Sequence, residues 1–309
     1  MKNGLGRVTV ASSSGGVCTV FGGTGFLGRS IVRSMQDAGC TVRVAARRPQ
    51  AQVAGAPGIG IERARADIRE EQSVRMAVCD ARVVVNAVSL YAEKPGVTFE
   101  EIHVEGAARV ARAAREAGVE SLMHISGLGA DVGSPSKYVR ARGRGEIAVR
   151  EQFEAAVVLR PSVLFGRGDD FLASLSRLTR LPIVPLFGDG GVRLQPTYVE
   201  DVAAAAVAAA LPRCAGRTYE LGGADTLTYR EIVCLVMARL GRRRPVVPLP
   251  FPVWLTLARI CAALPTPPLT RDQVILMQRD NVVSGAEPGF AELGVVPRGF
   301  SSLLPQLLG

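Results

Sequence analysis

Val17-Cys18-Thr19-Val20-Phe21-Gly22-Gly23-Thr24-Gly25-Phe26-Leu27-Gly28 is a short apolar run closed by glycines at 22, 25 and 28. Behind it Phe26, Leu27, Ile31, Val32 and Met35 recur at helical spacing as far as Gly39. The spacing predicts a buried strand, a tight glycine turn and a helix. That order is a dinucleotide-binding opening. Glycine lets the backbone turn sharply and approach a pyrophosphate, whose charge then sits on the positive N-terminus of the helix. A glycine pattern alone says little, but between a strand and a helix near the start of a domain it says much more.

Downstream, Thr41-Val42-Arg43-Val44-Ala45-Ala46 alternates toward a second strand and runs into Arg47-Arg48-Pro49. A fold of this kind that prefers NAD places an acid about 20 residues past the glycines to hold the ribose 2′-hydroxyl. Here two guanidiniums stand at the strand end instead. They suit the 2′-phosphate of NADP and can stack on adenine. Residues 51–60 read as a Gly/Pro/Ala loop and 59–66 as a weak third strand, followed by Asp67-Ile68. A helix is expected over 69–79, a β-branched buried strand over 81–88, a long helix over 99–117, a strand over 121–126, a helix over 136–153 and a strand over 156–161. Strands alternating with helices specify an α/β fold with a doubly wound parallel sheet. Ligands lie at the carboxyl ends of such strands, which singles out Asn86-Ala87-Val88.

From Ser162 the regularity loosens. A loop over 164–170, a short helix over 171–178 and a Pro/Gly-rich stretch over 182–191 precede an alanine-rich helix over 202–211 and a late strand over 218–223. Thr228-Tyr229-Arg230-Glu231 fits a capping box on a helix that runs to Leu240. Then come a basic turn (Arg242, Arg243, Arg244), an apolar helix over 251–264, a Pro-rich break and a helix near 271–279. The expected organisation is a flexible leader over 1–16, a dinucleotide-binding body over 17–165 and 192–223, and a smaller C-terminal lobe over 166–191 and 224–309. The leader is Gly/Ser-rich and lacks the apolar core of a signal peptide. The helix over 251–264 is too short to span a bilayer. It reads either as a lobe helix packed on the sheet or as one touching a membrane surface through Trp254.

With 309 residues the chain is long enough to bury a sizeable core. Its six cysteines show no C-x-x-C pair and read as small core residues in a reducing compartment. Two histidines, His103 and His124, leave no histidine-rich metal centre, and both read as structural. Asp169-Asp170 and Glu200-Asp201 are explained more simply by loop polarity and helix N-terminal charge than by metal binding. The net charge of +9 favours nucleotides, anionic lipid or an acidic partner without choosing among them. No module points to nucleic acid.

Ser126 closes the fifth strand, and Tyr138 and Arg142 lie four residues apart on the next helix, hence on one face. In this arrangement, from Val17 to about Gly223, the chain resembles extended members of the short-chain dehydrogenase/reductase family. The resemblance implies that Tyr138 is the acid/base, with Ser126 beside it. The family's lysine, which lowers the tyrosine pKa and holds the nicotinamide ribose, is here Arg142. Arginine keeps the charge but has a wider planar head and cannot relay a proton. Lys137 points off another face and does not replace it. The candidate cofactor contacts are Gly22, Thr24, Gly25, Phe26, Leu27 and Gly28 in the turn, with Arg47 and Arg48. Asp67, Ile68, Asn86, Ala87 and Val88 join them, as do Tyr138, Arg142, Pro161, Ser162 and Val163.

The likeness sharpens in Gly22-Gly23-Thr24-Gly25-Phe26-Leu27-Gly28, His103-Val104-Glu105-Gly106-Ala107, His124-Ile125-Ser126-Gly127-Leu128-Gly129-Ala130-Asp131 and Ser136-Lys137-Tyr138. It continues in Leu159-Arg160-Pro161-Ser162-Val163-Leu164-Phe165-Gly166, Gln195-Pro196-Thr197-Tyr198-Val199-Glu200-Asp201-Val202 and Asp280-Asn281-Val282-Val283. These stretches resemble the NADPH-binding accessory subunits of respiratory complex I (NADH:quinone oxidoreductase) and their bacterial relatives, along nearly the whole chain past the leader. The resemblance implies tightly held NADP(H), a structural or assembly role with little or no turnover, and complex I subunits as partners, while the basic charge suits an anionic membrane surface as another. The implied location is cytoplasmic, or peripheral on the cytoplasmic or matrix face of the inner membrane. Retained Ser126 and Tyr138 keep a second reading open: an NADP-dependent oxidoreductase, epimerase or dehydratase acting on a nucleotide sugar or small carbonyl compound. A nucleotide-ratio sensor is a third.

Overall fold

The computed structural model describes residues 16–49, 60–262, 264 and 269–308. The predicted leader, apart from Gly16, and the loop over 51–60, apart from Gly60, lie outside the described residues. The chain opens β1 (Val17–Phe21), α1 (Phe26–Asp37), β2 (Thr41–Ala46), β3 (Ile61–Arg65), α2 (Glu71–Val78) and β4 (Ala81–Asn86). A π-helical stretch (Glu100–Gly106) leads into α3 (Ala107–Glu116), followed by β5 (Ser121–Ile125), α4 (Lys137–Gln152) and β6 (Val157–Pro161). With β11 (Thr218–Leu221), these strands form one seven-stranded parallel sheet in the order β3-β2-β1-β4-β5-β6-β11. The direction of winding reverses between β1 and β4, which opens a crevice at their carboxyl ends.

Alternation along the strands explains the two faces. Cys18 and Val20 of β1, Val83 and Val85 of β4, and Met123 and Ile125 of β5 face one core. Phe21, Val84 and Leu122 face the other. Each fully buried Val, Leu or Phe side chain contributes about 1.5–3 kcal/mol, so both faces must be covered. α1 covers the first face with Leu27, Ile31, Val32 and Met35, packed against the alanine-rich α6 (Val199–Ala209). Small alanines let the two helices approach closely. The register sets Ala45, Phe21, Asn86, His124 and Val158 side by side in one row near the strand ends.

The rest of the chain supplies β7 (Leu164–Phe165), α5 (Asp170–Leu178), β8 (Val184–Phe187), β9 (Arg193–Leu194) and β10 (Thr197–Tyr198) before α6. After β11 come β12 (Leu227–Thr228), α7 (Tyr229–Arg239), β13 (Val246–Leu249), α8 (Phe251–Cys261), α9 (Arg271–Leu276) and α10 (Phe300–Leu307). The capping box at Thr228 and Glu231 is present as predicted. α5, α7 and α10 gather around Phe165, whose ring lies 5.0 Å from that of Phe300.

Several expectations are corrected. The stretch over 182–191 contains β8, which pairs in parallel with β13. α6 begins three residues earlier than expected, at Val199, and α9 ends at Leu276. α10 was unforeseen. The helix expected over 99–117 begins as a π-helix, whose wide turn lets the His103 imidazole reach the Leu90 backbone. Only Cys18, Cys40 and Cys214 are buried, while Cys79 and Cys234 are exposed on α2's end and α7. Trp254 is not a membrane anchor: it is buried, stacked 4.3 Å from Phe187, and donates its indole N–H to the Leu186 carbonyl. α8 packs on the β8–β13 ribbon and α9 rather than on the main sheet.

Candidate functional site

The glycine turn is built by backbone contact. Gly22 has φ +74°, donates its N–H to Ala45 O at 2.9 Å, and has no room for a Cβ, which would fall 2.9 Å from Ala87 O. A Cβ on Gly28 would fall 2.0 Å from Gly22 O, so only glycine lets α1 start this close to β1. Gly25 is the N-cap of α1 and offers no side-chain cap, which leaves the first-turn amides of a twelve-residue helix to an anion. Leu27 is buried beneath the turn; Thr24 and Phe26 are half-buried on it.

Arg47 and Arg48 follow β2 and are exposed, with no ion pair among the described residues. Asp67, just past the neighbouring β3, is ion-paired with Arg69 at 2.8 Å. That hydrogen bond lowers the Asp67 pKa, with Arg47 adding a smaller pull. Ile68 is buried, and its carbonyl accepts from Arg109 at 2.6 Å. At the end of β4, Asn86 is buried; its Oδ1 accepts from Val88 N at 3.2 Å and its amide lies 3.4 Å from His124 Nδ1. Ala87 donates its N–H to Phe21 O, which fixes the half-buried Ala87-Val88 segment beside the turn.

At the other side of the crevice, α4 lies close to the π-helix because it carries Gly145, where a Cβ would fall 2.0 Å from His103 O. Ser136 caps α4, and Tyr138 and Arg142 project from one face as the spacing required. Arg142 is 5% exposed, and each of its three side-chain nitrogens donates a hydrogen bond. Nε donates to Tyr138 Oη at 2.8 Å, Nη1 to Ile125 O at 3.1 Å and Nη2 to Ser89 Oγ at 2.7 Å. No carboxylate bonds to it among the described residues. Burial raises the Tyr138 pKa more than the adjacent Arg142 charge lowers it. The Tyr138 ring sits among Tyr91, Phe99 and His103 at 5.5–5.9 Å. Ser126 is 2% exposed, and its Oγ is buried with no hydrogen-bond partner. A buried orphan hydroxyl costs about 1–3 kcal/mol, and a ligand oxygen would satisfy it.

Both histidines are buried, and His103 packs edge-on against Tyr138. Burial pushes His103 down to about 3 and His124 down to about 4, so each is neutral at physiological pH. Three of the four acids in the two pairs are engaged within the fold, and Asp170 is exposed in the first turn of α5. Asp169 caps α5 and accepts from Gly166 N, Glu200 pairs with Arg33, and Asp201 pairs with Arg298.

Three residues escaped the sequence reading. Ser89 lies in the loop after β4 and holds Arg142. Asn281 reaches from the C-terminal arm into the site: its Oδ1 lies 2.6 Å from Ser162 Oγ and accepts from Val163 N at 3.2 Å, while its Nδ2 donates to Leu128 O. Pro161, buried beside them, accepts from Leu128 N at 2.9 Å. Asp272, on α9, accepts from Ser136 Oγ and from Tyr138 N at 3.4 Å. Asn281 sits inside the quoted Asp280-Asn281-Val282-Val283 stretch, which was the one available signal.

A glycine-built strand–turn–helix at the switch point of a doubly wound sheet, facing a Ser/Tyr pair across the crevice, is the plan of a nicotinamide-dinucleotide fold. Residues 18–222 match the NAD dependent epimerase/dehydratase family, and the chain belongs to it. Over 304 residues it is 33% identical to the mitochondrial NADH dehydrogenase [ubiquinone] 1 alpha subcomplex subunit 9 of Arabidopsis thaliana, covering 93% of this chain and 76% of that one. The Mus musculus subunit of the same name is also 33% identical, with 93% and 78% covered. In fold the chain resembles the NADPH-dependent quinone oxidoreductase QOR2 of Escherichia coli, solved with NADPH, at a TM-score of 0.76 and 18% identity, covering 94% of this chain and 100% of that one.

Proposed function

We propose that this protein holds NADP(H) as an accessory or assembly subunit-like protein of respiratory complex I, with little or no turnover. The observation that carries this reading is Arg142. It stands where the family's reactive lysine would be, and three of its nitrogens are already engaged by Tyr138, Ile125 and Ser89. A guanidinium so fixed can orient the phenol and the ribose beside it, but it cannot pass a proton on. The raised Tyr138 pKa points the same way. The residues present fit the dinucleotide: the glycine turn leaves a cradle that a Cβ would fill, and the Ser126 hydroxyl awaits a partner. The nicotinamide would supply hydride chemistry. Gly22, Thr24, Gly25, Phe26, Leu27 and Gly28 would hold the pyrophosphate, Arg47 and Arg48 the 2′-phosphate, and Asp67 and Ile68 the adenine side. Asn86, Ala87, Val88, Pro161, Ser162 and Val163 would line the nicotinamide side with Tyr138 and Arg142.

Similarity to the mitochondrial subunit 9 proteins supports complex I subunits as partners. The proposed location is cytoplasmic, or peripheral on the cytoplasmic or matrix face of the inner membrane. The proposed division keeps residues 17–165 and 192–223 as the cofactor-holding body, with 166–191 and 224–309 as the lobe. Denaturing freshly purified protein and identifying the released nucleotide by chromatography and mass tests the reading. Near-stoichiometric NADPH is expected, whereas an empty protein that exchanges the nucleotide freely would overturn it.

The orphan Ser126 hydroxyl favours a second reading, an NADP-dependent oxidoreductase, epimerase or dehydratase acting on a nucleotide sugar or small carbonyl compound. Reduction of a carbonyl substrate at roughly thousands-fold above background would move the conclusion to it.

A further inference from the structure

α8 is apolar on two faces, and only one of them is covered. Trp254 and Ala258 face inward onto Phe187, Leu249 and Val274. Val253, Leu257 and Ile260, at i, i+4 and i+7, form a second stripe on the solvent side, where Ile260 is 67% exposed. The ribbon beneath continues this surface. Parallel pairing of Val247 with Pro185 puts both on the ribbon face that carries Phe187 and Leu249. α8 covers the Phe187–Leu249 end and leaves Val247 and the preceding Ile183 exposed.

The charge around this surface is predominantly positive, with exposed Asp189, two residues past Phe187, the opposite sign beside α8. Between residues 240 and 279 the chain carries six arginines and a single acid, Asp272. Asp272 is turned toward Ser136 and the start of α4. Arg243, Arg244 and Arg259 are exposed and form no ion pair among the described residues. Arg243 and Arg244 lead directly into β13, and Arg259 adjoins Ile260 on α8.

We propose that this face docks on an anionic phospholipid surface, with Val253, Leu257 and Ile260 entering the headgroup–acyl boundary and the arginines meeting lipid phosphates. An exposed apolar stripe rimmed by unpaired arginines is the pattern of an interfacial helix. A second copy of the chain fits poorly, since a two-fold contact would set the arginine rim against itself. The leader residues 1–15 carry Lys2 and Arg7 and no acid, so they are repelled as well. The inference stands on the lobe surface alone, so its failure would leave the cofactor reading untouched.

The test is co-sedimentation of the full chain with phosphatidylcholine vesicles that contain or lack phosphatidylglycerol, at low and high salt. Binding to the anionic vesicles only, lost at high salt, is expected. Leu257→Asp with Ile260→Asp, and separately Arg243→Gln with Arg244→Gln, should each weaken partitioning about tenfold or more. Both pairs are exposed, and unchanged thermal unfolding checks that the fold is intact. No binding to anionic vesicles, equal binding to neutral ones, or unchanged binding in both variants would overturn the proposal. Capture of an acidic protein without any lipid binding would likewise overturn it and assign the face to a protein partner.

Discussion

The two sides of the crevice are specified in different ways. Around Gly22, Gly25 and Gly28 the shape is dictated by backbone meeting backbone, and any Cβ is an intruder. Around Ser126, Tyr138 and Arg142 it is dictated by side chains: the Arg142 guanidinium donates to three acceptors within the fold. In the proposed reading the binding cradle persists while the reactive end has changed its chemistry. Nucleotide retention and turnover are separable properties of one fold.

Substitution on each side should expose this asymmetry. Gly28→Ala would drive a methyl to 2.0 Å from Gly22 O, a backbone atom that cannot step aside. A loss of about 3 kcal/mol or more is expected, with nucleotide retention lost too. Ser126→Ala, across the crevice, removes a buried hydroxyl that has no partner, so the nucleotide-free protein should lose nothing or gain about 1 kcal/mol. Urea unfolding of both variants measures the contrast. A Ser126→Ala loss as large as that of Gly28→Ala would mean the two sides are equally constrained.

The reactive side also carries a pH signature. His103 and His124 are buried and neutral, with pKa values pushed down to about 3 and about 4 by burial. Above the ordinary histidine value near ~6.5 neither the folded nor the unfolded chain binds the proton, and stability does not depend on these groups. Below it the unfolded chain takes up protons that the folded chain refuses, so stability falls with pH until the folded values are reached. Between pH ~6.5 and ~5 the loss is about 2 kcal/mol per histidine. His124→Asn should remove about half of that slope, as read from unfolding midpoints across the range. A slope that does not change would mean other groups set the acid limb.

How far the sequence reveals each region follows from the same distinction. The body was legible because its signals are local and repeated: strands buried on both faces, helices with one apolar stripe, glycine at forced positions. The glycine turn, the two arginines past β2 and the shared face of Tyr138 and Arg142 were all readable in that way. What escaped depends on partners distant in sequence. Asn281 reaches Leu128, Ser162 and Val163 across more than a hundred residues, and no spacing rule encodes that. Trp254 looks like an interfacial anchor until Phe187 is found stacked on it. α10 contains Pro305 and is held by Phe300 against Phe165, a tertiary contact that overrides weak local propensity. Two-residue strands such as β9 and β12 are set by distant partners: β12 pairs with β9, and Leu194 of β9 also bridges Asn281.

The finest test concerns the cradle alone. Arg47 and Arg48 are exposed at the end of β2 with no ion pair among the described residues, so replacing them should cost the fold little. Their proposed partner is a group that only NADP(H) carries. Arg47→Ala and Arg48→Ala should each weaken NADPH about tenfold, about 1.4 kcal/mol, and leave NADH nearly unchanged. Titration of both nucleotides against both variants decides it. A selective loss assigns the 2′-phosphate to these guanidiniums and makes the cradle NADP-specific even where the reactive end is altered. Equal losses would mean that the arginines act on features common to both nucleotides, such as adenine stacking, and that specificity is set elsewhere in the crevice.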